Sequence, residues 1–139
     1  MLALQGDYEK HARSLERAGA QVSEVRTAAE LNAVDGLVIP GGESTTMLKL
    51  LDREGLFEPL REFGWSKPVF RTCAGAILLA TKVENPEQPS LGLMDIAVQR
   101  NAYGRQLDSR VVSIDAEGFG ALEAVFIRAP IIRQAGTGV

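Results

Sequence analysis

The reading turns on Gly36-Leu37-Val38-Ile39-Pro40-Gly41-Gly42-Glu43-Ser44-Thr45-Thr46. Gly36 to Ile39 is a compact apolar run bounded by Asp35 and Pro40, the pattern of a strand buried on both faces as in a parallel sheet. Pro40-Gly41-Gly42 breaks it. Ser44 or Thr45 can cap a following helix through about Asp52, with Met47, Leu48, Leu50 and Leu51 as its apolar side. A strand, a glycine turn and a helix in direct succession point to an α/β protein.

Working outward, the same alternation recurs. Leu2-Ala3-Leu4 opens the chain abruptly and reads as the tail of a buried strand, turned by Gln5-Gly6-Asp7. Helix formers fill Tyr8 to Ala18, and Gly19 is a natural stop. Val22 to Val25 is a short strand candidate. Thr27 followed three residues later by Glu30 is a capping-box pattern for a brief helix. Downstream, Phe57 to Phe63 reads as a helix, Lys67 to Phe70 as a strand and Ala74 to Thr81 as an almost wholly apolar, buried helix. Past Glu84 the pattern changes: a loop over Asn85-Pro86-Glu87-Gln88-Pro89, then strand-like pieces at Ile96–Val98, Arg110–Ile114 and Ala124–Ile127, punctuated by Gly118 and Gly120. The expectation is α/β: a mostly parallel central sheet flanked by helices, with an antiparallel element late in the chain. A single domain over residues 1–139 is expected. Its sheet begins mid-strand and stops after Gly136-Thr137-Gly138, so the expected domain is trimmed at both ends and incomplete at its C-terminus.

Composition narrows the function. The 139 residues carry a formal net charge of -3, with 45% hydrophobic and 24% charged residues, the balance of a soluble globular chain with one sizeable core. No basic stripe invites nucleic acid. The longest apolar run, Ala74 to Ala80, is too short to cross a bilayer, and no leader opens the chain. One cysteine, Cys73, and one histidine, His11, exclude an internal disulfide framework and make a poor zinc site. A reducing, cytoplasmic setting fits.

Four segments can carry chemistry. In Phe70-Arg71-Thr72-Cys73-Ala74-Gly75 a strand runs into a cysteine and a helix follows at once. A residue at such a corner is presented at the carboxyl edge of the sheet, where open α/β sheets bind ligands. The helix start favours a thiolate, and the Ala74 amide can donate to an oxyanion. The same residues also fit an inert buried cysteine. In Pro40 to Thr46 the glycines let backbone amides approach a ligand, but the lysine and spacing of a Walker loop are missing. A plain glycine turn with a capped helix reads as well. Gln99-Arg100-Asn101-Ala102-Tyr103-Gly104-Arg105-Gln106 is dense in donors suited to a carboxylate or amide, or is a solvated loop. Arg128, after the strand ending Phe126-Ile127, reaches the same edge or simply ends a strand at the surface. His11, between Lys10 and Arg13, reads as a solvent-exposed helix histidine.

Together these segments resemble the glutaminase subunit of pyridoxal 5′-phosphate synthase, a triad-type (class I) glutamine amidotransferase. The matching pieces are Leu2-Ala3-Leu4-Gln5-Gly6-Asp7, Pro40 to Thr46, Thr72-Cys73-Ala74-Gly75, Arg100 to Gln106 and Phe126-Ile127-Arg128-Ala129-Pro130, in family order over essentially the whole chain. The resemblance implies a flavodoxin-like three-layer fold. It also implies a nucleophile at Cys73 and an oxyanion hole from the amides of Gly42 and Ala74. The implied glutamine pocket is lined by Gly42, Glu43, Ser44, Arg100, Ile127 and Arg128. Glutamine would be split to glutamate and ammonia, and the ammonia channelled to a partner synthase subunit that also switches the glutaminase on. Gln5-Gly6-Asp7 is a candidate partner contact, and the subunit itself would hold no cofactor and no metal.

Two departures from that pattern shape the expected activity. The family triad takes a His and a Glu from a late His-Pro-Glu segment, and neither His11 nor any acid here matches it. The family also has Gly two residues before the nucleophile, where this chain has Arg71. A guanidinium there must swing out of the core or fill the pocket, so substrate entry should suffer. The expected glutamine hydrolysis by these 139 residues is negligible. The alternatives are a non-catalytic partner-binding pseudo-glutaminase, or the amidotransferase subunit of another biosynthetic pathway such as histidine or purine synthesis.

Overall fold

The computed structural model describes residues 1–102, 110–126 and 130–139. Helix α1 (Tyr8–Arg17) follows the first apolar segment. A short α2 (Ala28–Asn32) carries the expected capping box: the Thr27 hydroxyl accepts from the Glu30 N–H while the Glu30 carboxylate accepts from Thr27 N–H. Strand β1 (Leu37–Ile39) then leads to α3 (Ser44–Arg53), α4 (Phe57–Ser66) and β2 (Val69–Arg71). β1 and β2 pair in parallel, Leu37 opposite Val69 and Ile39 opposite Arg71. On the other side of β1, Leu2 N–H donates to Val38 O at 2.9 Å, and Leu2 itself is bridged in parallel to Val25. The apolar opening of the chain is thus an inner segment of the sheet, which explains why Leu2 and Val25 are fully buried.

Helix α5 (Gly75–Leu79) has no polar face because it has no solvent side. Leu78 and Leu79 join the core of Leu2, Leu31, Ile39, Met47, Leu51 and Leu60, while Ile77 joins Val83, Ile96 and Val98. The second group belongs to strands β3 (Ala80–Glu84) and β4 (Met94–Gln99), which pair in parallel, and β7 (Ile131–Ala135) runs antiparallel to β4. Strands β5 (Arg110–Ala116) and β6 (Gly120–Phe126) form an antiparallel hairpin.

Several sequence expectations shift. The helix expected to Thr81 stops at Leu79, because Ala80 turns extended (ψ 149°) and the next residues pair with β4. Burial in Ala80–Glu84 falls on Ala80 and Val83, three residues apart across a register shift, so no simple alternation marked the strand. Val22–Val25 contributes a bridge at Val25 rather than a strand, and β7 was not foreseen. The described strands fall into separate hydrogen-bonded groups, β1-β2, β3-β4-β7 and β5-β6, rather than one continuous ladder.

Candidate functional site

β2 ends at Arg71, and four residues later α5 begins. Cys73 lies between them with φ 49°, in the left-handed region, which costs a residue with a Cβ about 1–2 kcal/mol. The corner is held by backbone bonds: Thr72 N–H to Ile39 O at 3.2 Å, Gly75 N–H to Thr72 O at 2.9 Å and Ala76 N–H to Cys73 O at 3.1 Å. Cys73 is exposed while Ala74 and Gly75 are buried, so the inert buried cysteine that the sequence also allowed is ruled out. A conformation this unfavourable, over-determined by its surroundings at the edge of a sheet, is typical of functional positions.

The glycine-rich loop lies directly against that corner. A Cβ on Gly41 would come within 2.9 Å of the Cys73 Cβ, so only glycine allows the approach. The Gln5-Gly6 turn closes the third side. Gly6 has φ 80°, and a Cβ there would overlap the Gly41 carbonyl oxygen. The Gln5 side-chain amide packs against Gly42 and donates to Glu43 O at 2.7 Å. Residues 5–6, 40–43 and 72–74 therefore converge at the carboxyl ends of β1 and β2, the ligand-binding edge of an α/β sheet.

The first turn of α3 is organised by Glu43, not by Ser44 or Thr45 as the sequence suggested. The Glu43 carboxylate accepts from Thr45 N–H (3.0 Å), Thr46 N–H (2.7 Å) and the Thr46 hydroxyl (2.8 Å). Burial pushes this carboxyl up, but the donors of Thr45 and Thr46 outweigh it and bring its pKa down to about 2. Glutamate reaches both amides because its longer side chain folds back over the helix start. Ser44 is buried instead, its hydroxyl donating to Gln88 Oε1 at 3.0 Å. Its hydroxyl is thereby engaged within the fold, while its backbone N–H lies in the first turn of α3.

Arg100, just past β4, spans to the same turn. Its Nη2 donates to Thr45 Oγ1 at 3.0 Å and lies 3.6 Å from Glu43 Oε1, with the side chain 11% exposed. Glu43, Ser44 and Arg100 are thus brought together, and Gly41, the neighbour of Gly42, is the loop residue that lies against Cys73. Ile127 and Arg128 lie outside the described residues, as does the 103–109 part of the donor-rich stretch. Arg71 is half-buried beside the corner, and its Cβ lies 2.8 Å from where a Cβ on Gly75 would sit. Burial draws its pKa below the ordinary arginine value.

Sequence reasoning misplaced His11. It is half-buried, with Nδ1 at 2.8 Å from Asp7 O and Nε2 at 3.0 Å from Thr72 Oγ1. Its contact is with a residue 61 positions away, and its flanking charges Lys10 and Arg13 concealed that. Nor did local pattern distinguish the side chains of Gln5 and Gln88 from loop residues. A cavity of about 850 Å³ lined by Met1, Leu15, Val22, Val38 and Phe70 holds none of the site residues. That hollow lies apart from the Cys73 corner. Among the described residues there is no cluster of three or more His, Cys, Asp or Glu placed to hold a metal ion, and no helix is long and apolar enough to cross a membrane.

Comparisons with known proteins show the family and the fold. The model of the SNO glutamine amidotransferase family matches residues 1–138. The chain is 58% identical over 146 aligned positions to "Pyridoxal 5'-phosphate synthase subunit PdxT" of Solibacter usitatus, covering 100% of this chain and 76% of that protein. It is 54% identical to the protein of the same name in Koribacter versatilis, covering 100% and 72% respectively. A solved protein described as "Crystal structure of glutamine amidotransferase" superposes with a TM-score of 0.88 at 44% identity, over 99% of this chain and 74% of that one.

Proposed function

The chain belongs to the SNO glutamine amidotransferase family, and from that premise we propose that it is the glutaminase subunit of a pyridoxal 5′-phosphate synthase. The relatives that carry the subunit's name cover the whole chain. The observation that carries the chemistry is the exposed Cys73, held at φ 49° against the Gly41-Gly42 turn.

In this reading the Cys73 thiolate attacks the side-chain amide carbon of L-glutamine. The amides of Gly42 and Ala74 receive the developing oxyanion, a stabilisation worth about 3–4 kcal/mol per donor in related acyl transfers. The proton released when the Cys73 thiol ionises is passed by a general acid–base to the leaving nitrogen, the C–N bond breaks and ammonia departs; water then splits the thioester to glutamate and restores the thiol. Glu43 and Arg100 shape the pocket through the first turn of α3, and Ser44 lends its backbone N–H. Ile127 and Arg128 complete the pocket in the family pattern. Ammonia passes to a synthase subunit, in the cytoplasm. The subunit carries no cofactor of its own.

The proton relay is the weak part for these 139 residues. Their one imidazole is His11, and both its ring nitrogens are engaged by Asp7 O and Thr72 Oγ1. Loss of a triad base lowers turnover by about 10⁴-fold or more. The half-buried Arg71 beside the nucleophile also favours the second reading, a partner-binding subunit without turnover. Labelling separates these, and ammonia release tests the relay. Mass spectrometry after exposure to the diazoketone analogue of L-glutamine should give one adduct, on Cys73, slowed by added L-glutamine; an unmodified Cys73 points to the binding subunit. Ammonia release should stay near background with or without the synthase subunit, and sustained turnover would overturn the account of the relay.

A further inference from the structure

His11 is the one imidazole in the chain, and it lies at the site without appearing in the chemistry above. Its hydrogen bonds select one tautomer of the neutral ring. The partner of Nδ1 is a main-chain carbonyl, Asp7 O at 2.8 Å, and a carbonyl only accepts, so Nδ1 carries the proton. In the neutral ring Nε2 is then a lone pair. At 3.0 Å from Thr72 Oγ1 it accepts the hydrogen of the hydroxyl.

Thr72 is therefore held by every polar group it has. Its N–H donates to Ile39 O, its carbonyl accepts from Gly75 N–H, and its hydroxyl donates to His11. The next residue is Cys73, whose φ of 49° lies in a minority well. Gly41 also presses against Cys73 and lies near Thr72 Oγ1. The peptide joining Thr72 to Cys73 is thus clamped between α1 and the glycine loop, and its orientation sets where the sulfur points.

We propose that His11 is a positioning residue for Cys73: by accepting the Thr72 hydroxyl hydrogen it fixes the strand-to-helix corner in the orientation from which the thiolate attacks. This rests on the glutaminase reading of the site. A misplacement of about 1 Å costs such reactions about 100-fold, so a single brace can govern rate without touching substrate.

The lone cysteine makes the test clean, since every thiol reaction reads Cys73. Two electrophiles are compared. Iodoacetamide needs only an accessible sulfur. The diazoketone analogue of L-glutamine needs an organised site: the thiol proton passes to the diazo carbon, dinitrogen leaves and a C–S bond forms. His11→Leu and Thr72→Val should each slow analogue labelling about ten-fold, while iodoacetamide labelling stays within about two-fold. The double variant should be no slower than either single, because the two residues act as one pair. His11→Gln, whose side-chain oxygen can accept the same hydrogen, and Thr72→Ser should recover most of the rate. Unchanged analogue labelling in both single variants overturns the proposal, and so does an equal loss with both reagents, which marks general loosening. If L-glutamine fails to protect the unmodified chain, the glutaminase reading falls and the brace falls with it. That result is distinct from protection without an effect of His11.

Discussion

Cys73 is where the physics of this chain is most concentrated. Its left-handed backbone, its exposure and the close approach of Gly41 are separate facts that support the role proposed for it. Gly41→Ala should therefore act through the site: a methyl 2.9 Å from the Cys73 Cβ forces the loop or the corner to move, costing about 1–3 kcal/mol. Thermal unfolding measures that loss, and glutamine-protected labelling should fall at least ten-fold. Glu43 gives a pH prediction. Its folded pKa of about 2 lies below the ordinary 4.5, so its contribution is fully present above about pH 4.5 and is lost as pH falls toward about 2. The carboxylate is 56% exposed, and solvent keeps the effect modest. The difference in urea midpoint between the native chain and Glu43→Gln should be level from about pH 7 to pH 5 and narrow below that. A gap that widens on acidification contradicts the capping role. At this scale the strand-to-helix corner at Cys73 and the glycine turn at Gly41-Gly42 were legible because each has a local signature, a strand-to-helix cysteine and a double glycine. His11 was invisible because its partner, Thr72, is brought to it only by the fold.

Elements show the same division. The Thr27–Glu30 capping box was legible since it is a contact between neighbours in sequence, and Thr27→Ala should cost about 1 kcal/mol by chemical denaturation. The boundary between α5 and β3 was not legible. Gly75 to Ala80 is apolar at every position, so neither a period of two nor one of 3.6 could be read from it. Tertiary contact settles the matter: α5 fills the space between two cores, and Ala80 turns to pair with β4. Leu78, 1% exposed at that junction, should be costly to truncate. Leu78→Ala is expected to lose about 2–5 kcal/mol and, since α5 anchors the corner, to weaken labelling of Cys73. A loss below about 1 kcal/mol would mean that the helix is not the wedge described here.

Across the whole molecule, three stretches far apart in sequence meet at one edge of the sheet: the opening turn, the glycine loop and the Cys73 corner. That convergence follows from parallel strands, whose carboxyl ends all face the same way. It explains why short motifs in order along the chain sufficed to indicate fold and family. The separate hydrogen-bonded groups of strands were not foreseeable, because pairing partners are set by distant residues. The proposed assembly is testable at this scale: mixed with the synthase subunit of a close relative, the chain should co-elute on size exclusion, and unchanged elution of both would argue against it. The central claim concerns the meeting of Cys73 with the Gly42 loop, and a crystal structure of the chain after reaction with the diazoketone glutamine analogue tests it most directly. The account predicts a thioether on Sγ of Cys73 with the ligand's carbonyl oxygen hydrogen-bonded to the amides of Gly42 and Ala74. A bound ligand whose oxygen turns away from both amides, toward Arg71 or solvent, would contradict it.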